Sequence, residues 1–218
     1  MKLAIFDVDG TISDSQAHIV ASVAHGFTEV GLAVPARDAI LSIVGLSLPE
    51  AMARLAPEAS AEQRAAIVEG YKASYQLERL RQPAPLYPGA VEVIDRLAGR
   101  AEMLLGIATG KSRRGLDALC AHHGIGGYFI TRQVSDNHPS KPHPAMVEAA
   151  LAEAGVDARD AVMIGDTTYD IDMGRAAGVA TIGVSWGYHP VSALRDAGAG
   201  TIVDTFDALE RAVLEVLG

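Results

Sequence analysis

An α/β chain with a Rossmann-like, doubly wound parallel sheet and an inserted all-helical body is the fold class that this sequence predicts. Three observations carry it. The opening run Leu3-Ala4-Ile5-Phe6 is apolar without alternation, as a strand buried on both faces is. From residue 90 onward short β-rich runs alternate with helical segments, the spacing that right-handed crossovers and a parallel sheet require. From residue 13 to residue 81 no strand pattern occurs, and four helical segments follow one another.

The elements read in order as follows. After Thr11 the pattern turns helical, with Asp14 and Ser15 as candidate caps for a helix through Ile19, Val20, Val23 and Phe27, stopping at Gly31. Helices about Ala36–Ile43, Leu48–Leu55 and Ala61–Leu80 come next. Pro49 suits a first helical turn, and Ser60 with Gln63 resembles a capping box. The stretch Gln82-Pro83-Ala84-Pro85-Leu86-Tyr87-Pro88-Gly89 stiffens and turns the chain. Then come a helix near Ala90–Leu97, a strand Met103–Ala108, a helix about Arg113–His122 and a short strand Tyr128–Ile130. A helix about Pro144–Ala154 leads to the strand Ala161–Ile164, and a helix around Ile171–Ala177 to the strand Ala180–Val184. A strand Thr201–Val203 and a final helix close the chain. The predicted division is an α/β body of residues 1–13 and 83–218 and a helical body of residues 14–82. Residues 16–82 hold seven acids against six bases, so the acidic excess lies in the α/β part.

With 218 residues, 49% apolar and 21% charged, the composition is that of a globular protein. The net charge of −9 argues against a broad nucleic-acid face, which needs clustered Lys and Arg. Cys120 is the single cysteine, which excludes an intrachain disulfide and favours a reducing compartment; it reads as a small core residue. No run approaches the roughly 18 unbroken apolar residues of a membrane span, and no targeting segment is visible. The expectation is a cytoplasmic monomer or homodimer with no membrane or nucleic-acid partner.

In an open parallel sheet, ligands bind outside the carboxyl ends of the strands. The first strand ends in Asp7-Val8-Asp9, the second in Thr109-Gly110-Lys111, and the fourth in Gly165-Asp166, with Asp170 one helical turn later. Lys141 precedes a helix in Ser140-Lys141-Pro142-His143-Pro144. Buried strands seldom end in carboxylates unless something pairs them. Four acids, a hydroxyl and a lysine on one rim have the composition of a Mg²⁺ and phosphate site, with hard oxygen ligands for the metal and Lys and amide donors for phosphate oxygens. Each has a plainer reading alone: Asp166 and Asp170 as helix N-terminal acids, Thr109 as a cap, Lys141 as a surface lysine. Lys111, Arg113 and Arg114 read as a solvated helix start that could also recruit an anion, His122 and His123 as surface positions, and His18 as a candidate substrate contact.

In these residues the chain resembles the haloacid dehalogenase-like superfamily, in the branch with a helical cap after the first strand and a phosphoglycolate phosphatase-like substrate loop. The likeness rests on Asp7-Val8-Asp9-Gly10-Thr11, Thr109, Lys141 and Gly165-Asp166-Thr167-Thr168-Tyr169-Asp170, in order. It implies a phosphatase acting on a small phosphorylated metabolite. Asp7 would attack phosphorus and form an aspartyl-phosphate, and Asp9 would serve as acid and then base. Mg²⁺ would be held by Asp7, the Asp9 carbonyl and Asp166, with Asp170 anchoring its water or orienting neighbours; Thr109, Gly110 and Lys141 would hold the phosphate. Val44–Met52 resembles the family's substrate loop, which points to Gly45 and Ser47. An Asp at position 9 favours phosphoryl chemistry over dehalogenation, since a halide needs no proton. Leu48 stands where β-phosphoglucomutase relatives carry an Arg, and His18 falls one residue short of their cap histidine, which speaks against a mutase. Lys72, the only lysine of the helical body, lacks the local pattern of the phosphonate-cleaving relatives. Pyrophosphate or nucleotide hydrolysis and a non-catalytic sensor are the other readings.

Overall fold

The computed structural model, which describes all 218 residues, places β1 (Lys2–Phe6) inside a six-stranded parallel sheet. The other strands are β2 (Met103–Thr109), β3 (Phe129–Val134), β4 (Ala161–Gly165), β5 (Ala180–Val184) and β6 (Thr201–Val203). Their order is β3-β2-β1-β4-β5-β6. The chain builds outward from β1 to β3, then returns to the other side of β1 with β4. That reversal opens a crevice at the carboxyl ends of β1 and β4. The register Phe6↔Ile164 puts Asp7 beside Gly165, and the Asp7 amide donates to the Ile164 carbonyl at 2.9 Å.

Five helices lie between β1 and β2: α1 (Gln16–Glu29), α2 (Arg37–Leu41), α3 (Leu48–Leu55), α4 (Ala61–Arg81) and α5 (Ala90–Ala98). The later ones are α6 (Arg113–His123), α7 (Ala145–Ala154), α8 (Thr168–Ala176), α9 (Val191–Asp196) and α10 (Phe206–Leu217). Successive side chains of a strand face opposite ways, and β1 divides accordingly. Ala4 and Phe6 join a 27-residue cluster with Ile94 of α5, Leu116 of α6 and Val213 of α10. Leu3 and Ile5 join an 11-residue cluster with Met146 and Val147 of α7 and Met173 of α8. The α1–α4 region has a separate apolar centre of 13 residues, including Val23, Phe27, Ile40, Met52 and Ile67.

Three local differences from the sequence reading have physical causes. β3 runs on to Val134 rather than ending at Ile130; it is an edge strand, and its polar Thr131-Arg132-Gln133 hides it from an apolar-run criterion. α8 begins at Thr168 because Thr167 and Asp170 form a reciprocal capping box. Ser15 stands at the N-cap of α1, yet its side chain makes no capping bond; it is turned to Asp9 Oδ1, to which its hydroxyl donates, and to the Tyr188 hydroxyl. The short helix α9 follows Pro190 and has no counterpart in the sequence pattern. The Ser60–Gln63 capping box is present, and Cys120 is buried in the larger cluster.

Leu105, 1% exposed in the centre of β2, tests the main core. Leu105→Ala should lower the unfolding free energy by about 2–5 kcal/mol in urea titration with an unchanged slope. A loss below about 1 kcal/mol would mean that this face of the sheet is not closely packed.

Candidate active site

The crevice at the ends of β1 and β4 collects the acids. Asp7, Asp166 and Asp170 are each 0% exposed, and one carboxylate oxygen from each lies within 4.8 Å of the others. Gly10 makes this crowding feasible. Its φ is +87°, and a Cβ there would lie 2.2 Å from an Asp166 carboxylate oxygen, so no other residue fits without displacing that acid. Thr11 Oγ1 donates to Asp166 Oδ1 at 2.8 Å, and the Tyr188 amide donates to Oδ2 at 2.9 Å. Asp170 Oδ2 accepts from the Thr167 amide and hydroxyl at 3.0 and 2.7 Å.

Lys141 is the counter-ion. It is 1% exposed, with Nζ 2.6 Å from Asp170 Oδ1 and 3.0 Å from Asp7 Oδ1. The reading of Lys141 as a surface lysine is excluded. Burial draws its pKa down, but Asp170 and Asp7 outweigh burial and leave it above the ordinary lysine value. Burial is likewise the largest influence on Asp7, pushing its carboxyl up to about 7; Lys141 opposes the rise and Asp170 and Asp9 add to it. Asp166 is raised by burial first, then by Asp170 and Asp7. Three buried carboxylates with one ammonium make a negative centre of hard oxygen donors, the chemistry that suits a divalent cation. Apart from the Lys141 contact, neither oxygen of Asp7 has a hydrogen-bond donor, so of the three acids this one has ligand capacity to spare. The donor set therefore fits Mg²⁺, with Asp7 the most open to it; both oxygens of Asp166 already accept from Thr11 and Tyr188, and both of Asp170 are engaged by Lys141 and Thr167.

A cavity of about 660 Å³ opens above Asp7, lined by Asp7, Asp9, Thr109 and Gly110 from the sheet and by Gly45 and Ser47 from the loop before α3. Lys141, Asp166 and Asp170 do not line it; they lie behind Asp7 in the protein. The α2–α3 loop is seated on the rim. A Cβ on Gly110 would stand 2.4 Å from the Gly45 carbonyl oxygen, and the Ser47 amide donates to Ser140 Oγ at 2.9 Å. A second tie joins the two parts of the chain. The Tyr169 hydroxyl donates to the Ser42 carbonyl at 2.9 Å, and His189 Nε2 is 3.1 Å from the same oxygen. The Thr168 amide donates to His189 Nδ1, so Nε2 carries the proton. Burial holds the His189 pKa below its ordinary value.

Lys111 corrects the sequence reading. It is no solvated helix start: its side chain is 7% exposed and its ammonium lies 2.8 Å from Asp9 Oδ1. Arg114 does line the cavity, whereas Arg113 turns away to the Arg132 carbonyl. His18 is absent from the cavity wall and meets the Tyr75 ring edge-on at 6.0 Å. His122 is exposed, but His123 is half-buried against the Ala84 carbonyl. The remaining partners of Asp9, namely Ser15 and through it Tyr188, carried no signal in the sequence.

A doubly wound sheet with a carboxylate and lysine centre at its switch point is the architecture of an enzyme that handles anionic substrates. The chain belongs to the haloacid dehalogenase-like hydrolase family, whose sequence model matches residues 4–184. It is 37% identical over 208 residues to "Probable phosphatase IndB" of Dickeya dadantii (strain 3937), covering 94% of this chain and 90% of that one. It is 30% identical over 220 residues to a phosphoglycolate phosphatase of Agrobacterium fabrum, covering 99% and 93%. The fold matches the crystal structure of a hydrolase from Pseudomonas syringae with a TM-score of 0.89, at 24% identity and full coverage of both chains. No helix is long and apolar enough to cross a membrane.

The Asp7 environment sets a pH dependence of stability. Its carboxyl titrates at 3.8 without the fold and at about 7 within it, so the fold favours the protonated form. Its contribution is full below 3.8 and is lost as pH rises through about 7. In chelator-treated protein, Asp7→Asn should therefore gain stability over the wild type progressively across that window, and little below it. Urea titrations at several pH values measure this; a difference independent of pH would contradict the assignment.

Proposed function

We propose that this protein is a Mg²⁺-dependent phosphatase that hydrolyses a small phosphomonoester through an aspartyl-phosphate on Asp7. One observation carries the reading: Asp7 stands at the floor of the cavity with both oxygens free of hydrogen-bond donors other than the Lys141 contact. An acid so placed is costly to the fold and useful as a nucleophile.

In the first step an Asp7 oxygen bonds to phosphorus as the bond to the leaving oxygen breaks, and Asp9 gives that oxygen its proton. In the second, water attacks the same phosphorus, its proton passes to Asp9, and Asp7 is released as carboxylate. Thr109 and the Gly110 amide hold phosphate oxygens at the end of β2. Lys141 offsets the charge of Asp7 from behind, so that a carboxylate and a phosphate dianion can approach each other. Asp7, Asp166 and the Asp9 carbonyl would hold the cation, with Asp170 fixing Lys141 beside them. When bound, Mg²⁺ supplies electrostatic stabilisation of the charge on the transferring phosphoryl group.

Residues 14–82 act in this reading as a cap, and the Gly45–Ser47 loop as its contact with the leaving group. Phosphoglycolate is the first substrate to try, since a relative of nearly the same length bears the name phosphoglycolate phosphatase. The mutase alternative is weakened by Leu48, whose apolar side chain packs against the helical cluster and offers no grip for a second phosphate.

Asp7→Asn should reduce hydrolysis of a generic aryl phosphate to background with the circular dichroism spectrum intact; substantial remaining turnover would remove Asp7 as nucleophile. Asp166→Asn should shift the Mg²⁺ activation curve to higher concentration, and an unchanged curve would remove Asp166 from the metal set.

A further inference from the structure

The Asp9 carboxylate is gripped from two sides. Ser15 Oγ donates to Oδ1 at 2.6 Å, and Ser15 meets the Tyr188 hydroxyl at 3.2 Å. Opposite, the Lys111 ammonium lies 2.8 and 2.9 Å from the two Asp9 oxygens and donates to the Tyr75 hydroxyl at 3.0 Å. The same nitrogen is 4.9 Å from the centre of the Tyr75 ring, within cation–π range. Tyr75 belongs to α4 and stacks on Tyr71 with centroids 5.6 Å apart. One buried ammonium thus joins the acid beyond β1 to the helical body.

A buried ammonium persists only where it is fully paired. Lys111 has Asp9 and Tyr75 for that purpose, one from each part of the chain. If α4 moves away, Lys111 loses the hydroxyl and the aromatic wall that hold its position. Asp9 then keeps Ser15 on one side and, on the other, a lysine without its second anchor. We propose that Lys111 is a positioning residue that aims the Asp9 carboxyl, and that Tyr75 makes this aim depend on the seating of α4. The proposal rests on Asp9 as proton donor to the leaving group. Proton delivery is then confined to the closed site, where the phosphate bond breaks away from bulk water. As the proton passes to the leaving oxygen, the Asp9 carboxylate that remains is already beside an ammonium.

The test compares two substrates by kcat/KM, which covers binding and phosphoryl transfer to Asp7 and excludes hydrolysis of the intermediate; the ratio between the two esters then isolates the need for a proton. p-Nitrophenyl phosphate expels a leaving group that needs no proton; 2-hydroxyethyl phosphate expels an alkoxide that does. Lys111→Met should lower kcat/KM for the alkyl ester at least about tenfold more than for the aryl ester, within the range of a general acid. Lys111→Arg should recover part of that difference. Tyr75→Phe keeps the ring stack and should shift the ratio in the same direction by a smaller factor. Adding Tyr75→Phe to Lys111→Met should change nothing further, because the tyrosine acts through the lysine. Equal losses on both esters, or multiplicative losses in the double variant, would overturn the positioning role while leaving the phosphatase reading intact. A wild-type protein that hydrolyses neither ester overturns both.

Discussion

Everything at the rim depends on the Lys141 ammonium held between Asp7 and Asp170. Three acids within 4.8 Å of one another, all buried, repel strongly where solvent does not screen them. One ammonium removes part of that repulsion and leaves a net negative centre of hard oxygen donors, which suits a divalent cation. The fold is built to hold this arrangement. The strand-order reversal brings the ends of β1 and β4 side by side, Gly10 lets the backbone pass against Asp166, and the Thr167 cap of α8 fixes Asp170 against Lys141. The raised Asp7 carboxyl shows that the fold holds this acid, once ionised, at a cost to stability.

The two acids of the first strand end in different surroundings, although they are only two residues apart. Asp7 points into the buried acid–lysine centre, while Asp9 faces Lys111 and Ser15. Separate environments for neighbouring carboxyls are what two-step acid–base and nucleophilic chemistry requires. The helical body closes over both through the Gly45–Gly110 approach, the Ser47–Ser140 bond and the Tyr169–Ser42 bond. All three ties involve backbone groups of the loop before α3, so they constrain its path more than its side chains.

Legibility in the sequence followed the physical signal available. Apolar runs exposed β1, β2, β4 and β5 well, because those strands lie inside the sheet, and the edge strand β6 was readable as the short run Thr201–Val203. β3 was cut short, since an edge strand can afford Thr131-Arg132-Gln133. Asp7, Thr109, Lys141, Asp166 and Asp170 were readable because each leaves a strand or opens a helix at the sheet's carboxyl end. Lys111 was not. A lysine two residues past a strand looks like a solvated helix start, and only the three-dimensional approach of α4 buries it on Asp9 and Tyr75. Ser15 stands at the helix end the sequence indicates but with another partner: its side chain is turned to Asp9 Oδ1 and away from the first-turn amides. Such side-chain partnerships arise across 6 to 102 residues of sequence and have no periodicity to betray them.

The central claim is a covalent one, so its most direct test is to trap the intermediate. Rapid acid quench of enzyme with Mg²⁺ and an excess of aryl phosphate, followed by borohydride reduction and peptide mass spectrometry, converts an aspartyl-phosphate into homoserine at the position that carried it. The expected result is homoserine at position 7 and nowhere else, in amounts that rise and fall with turnover. Active enzyme that never shows reduction at position 7, or shows it at Asp9 instead, would contradict the account.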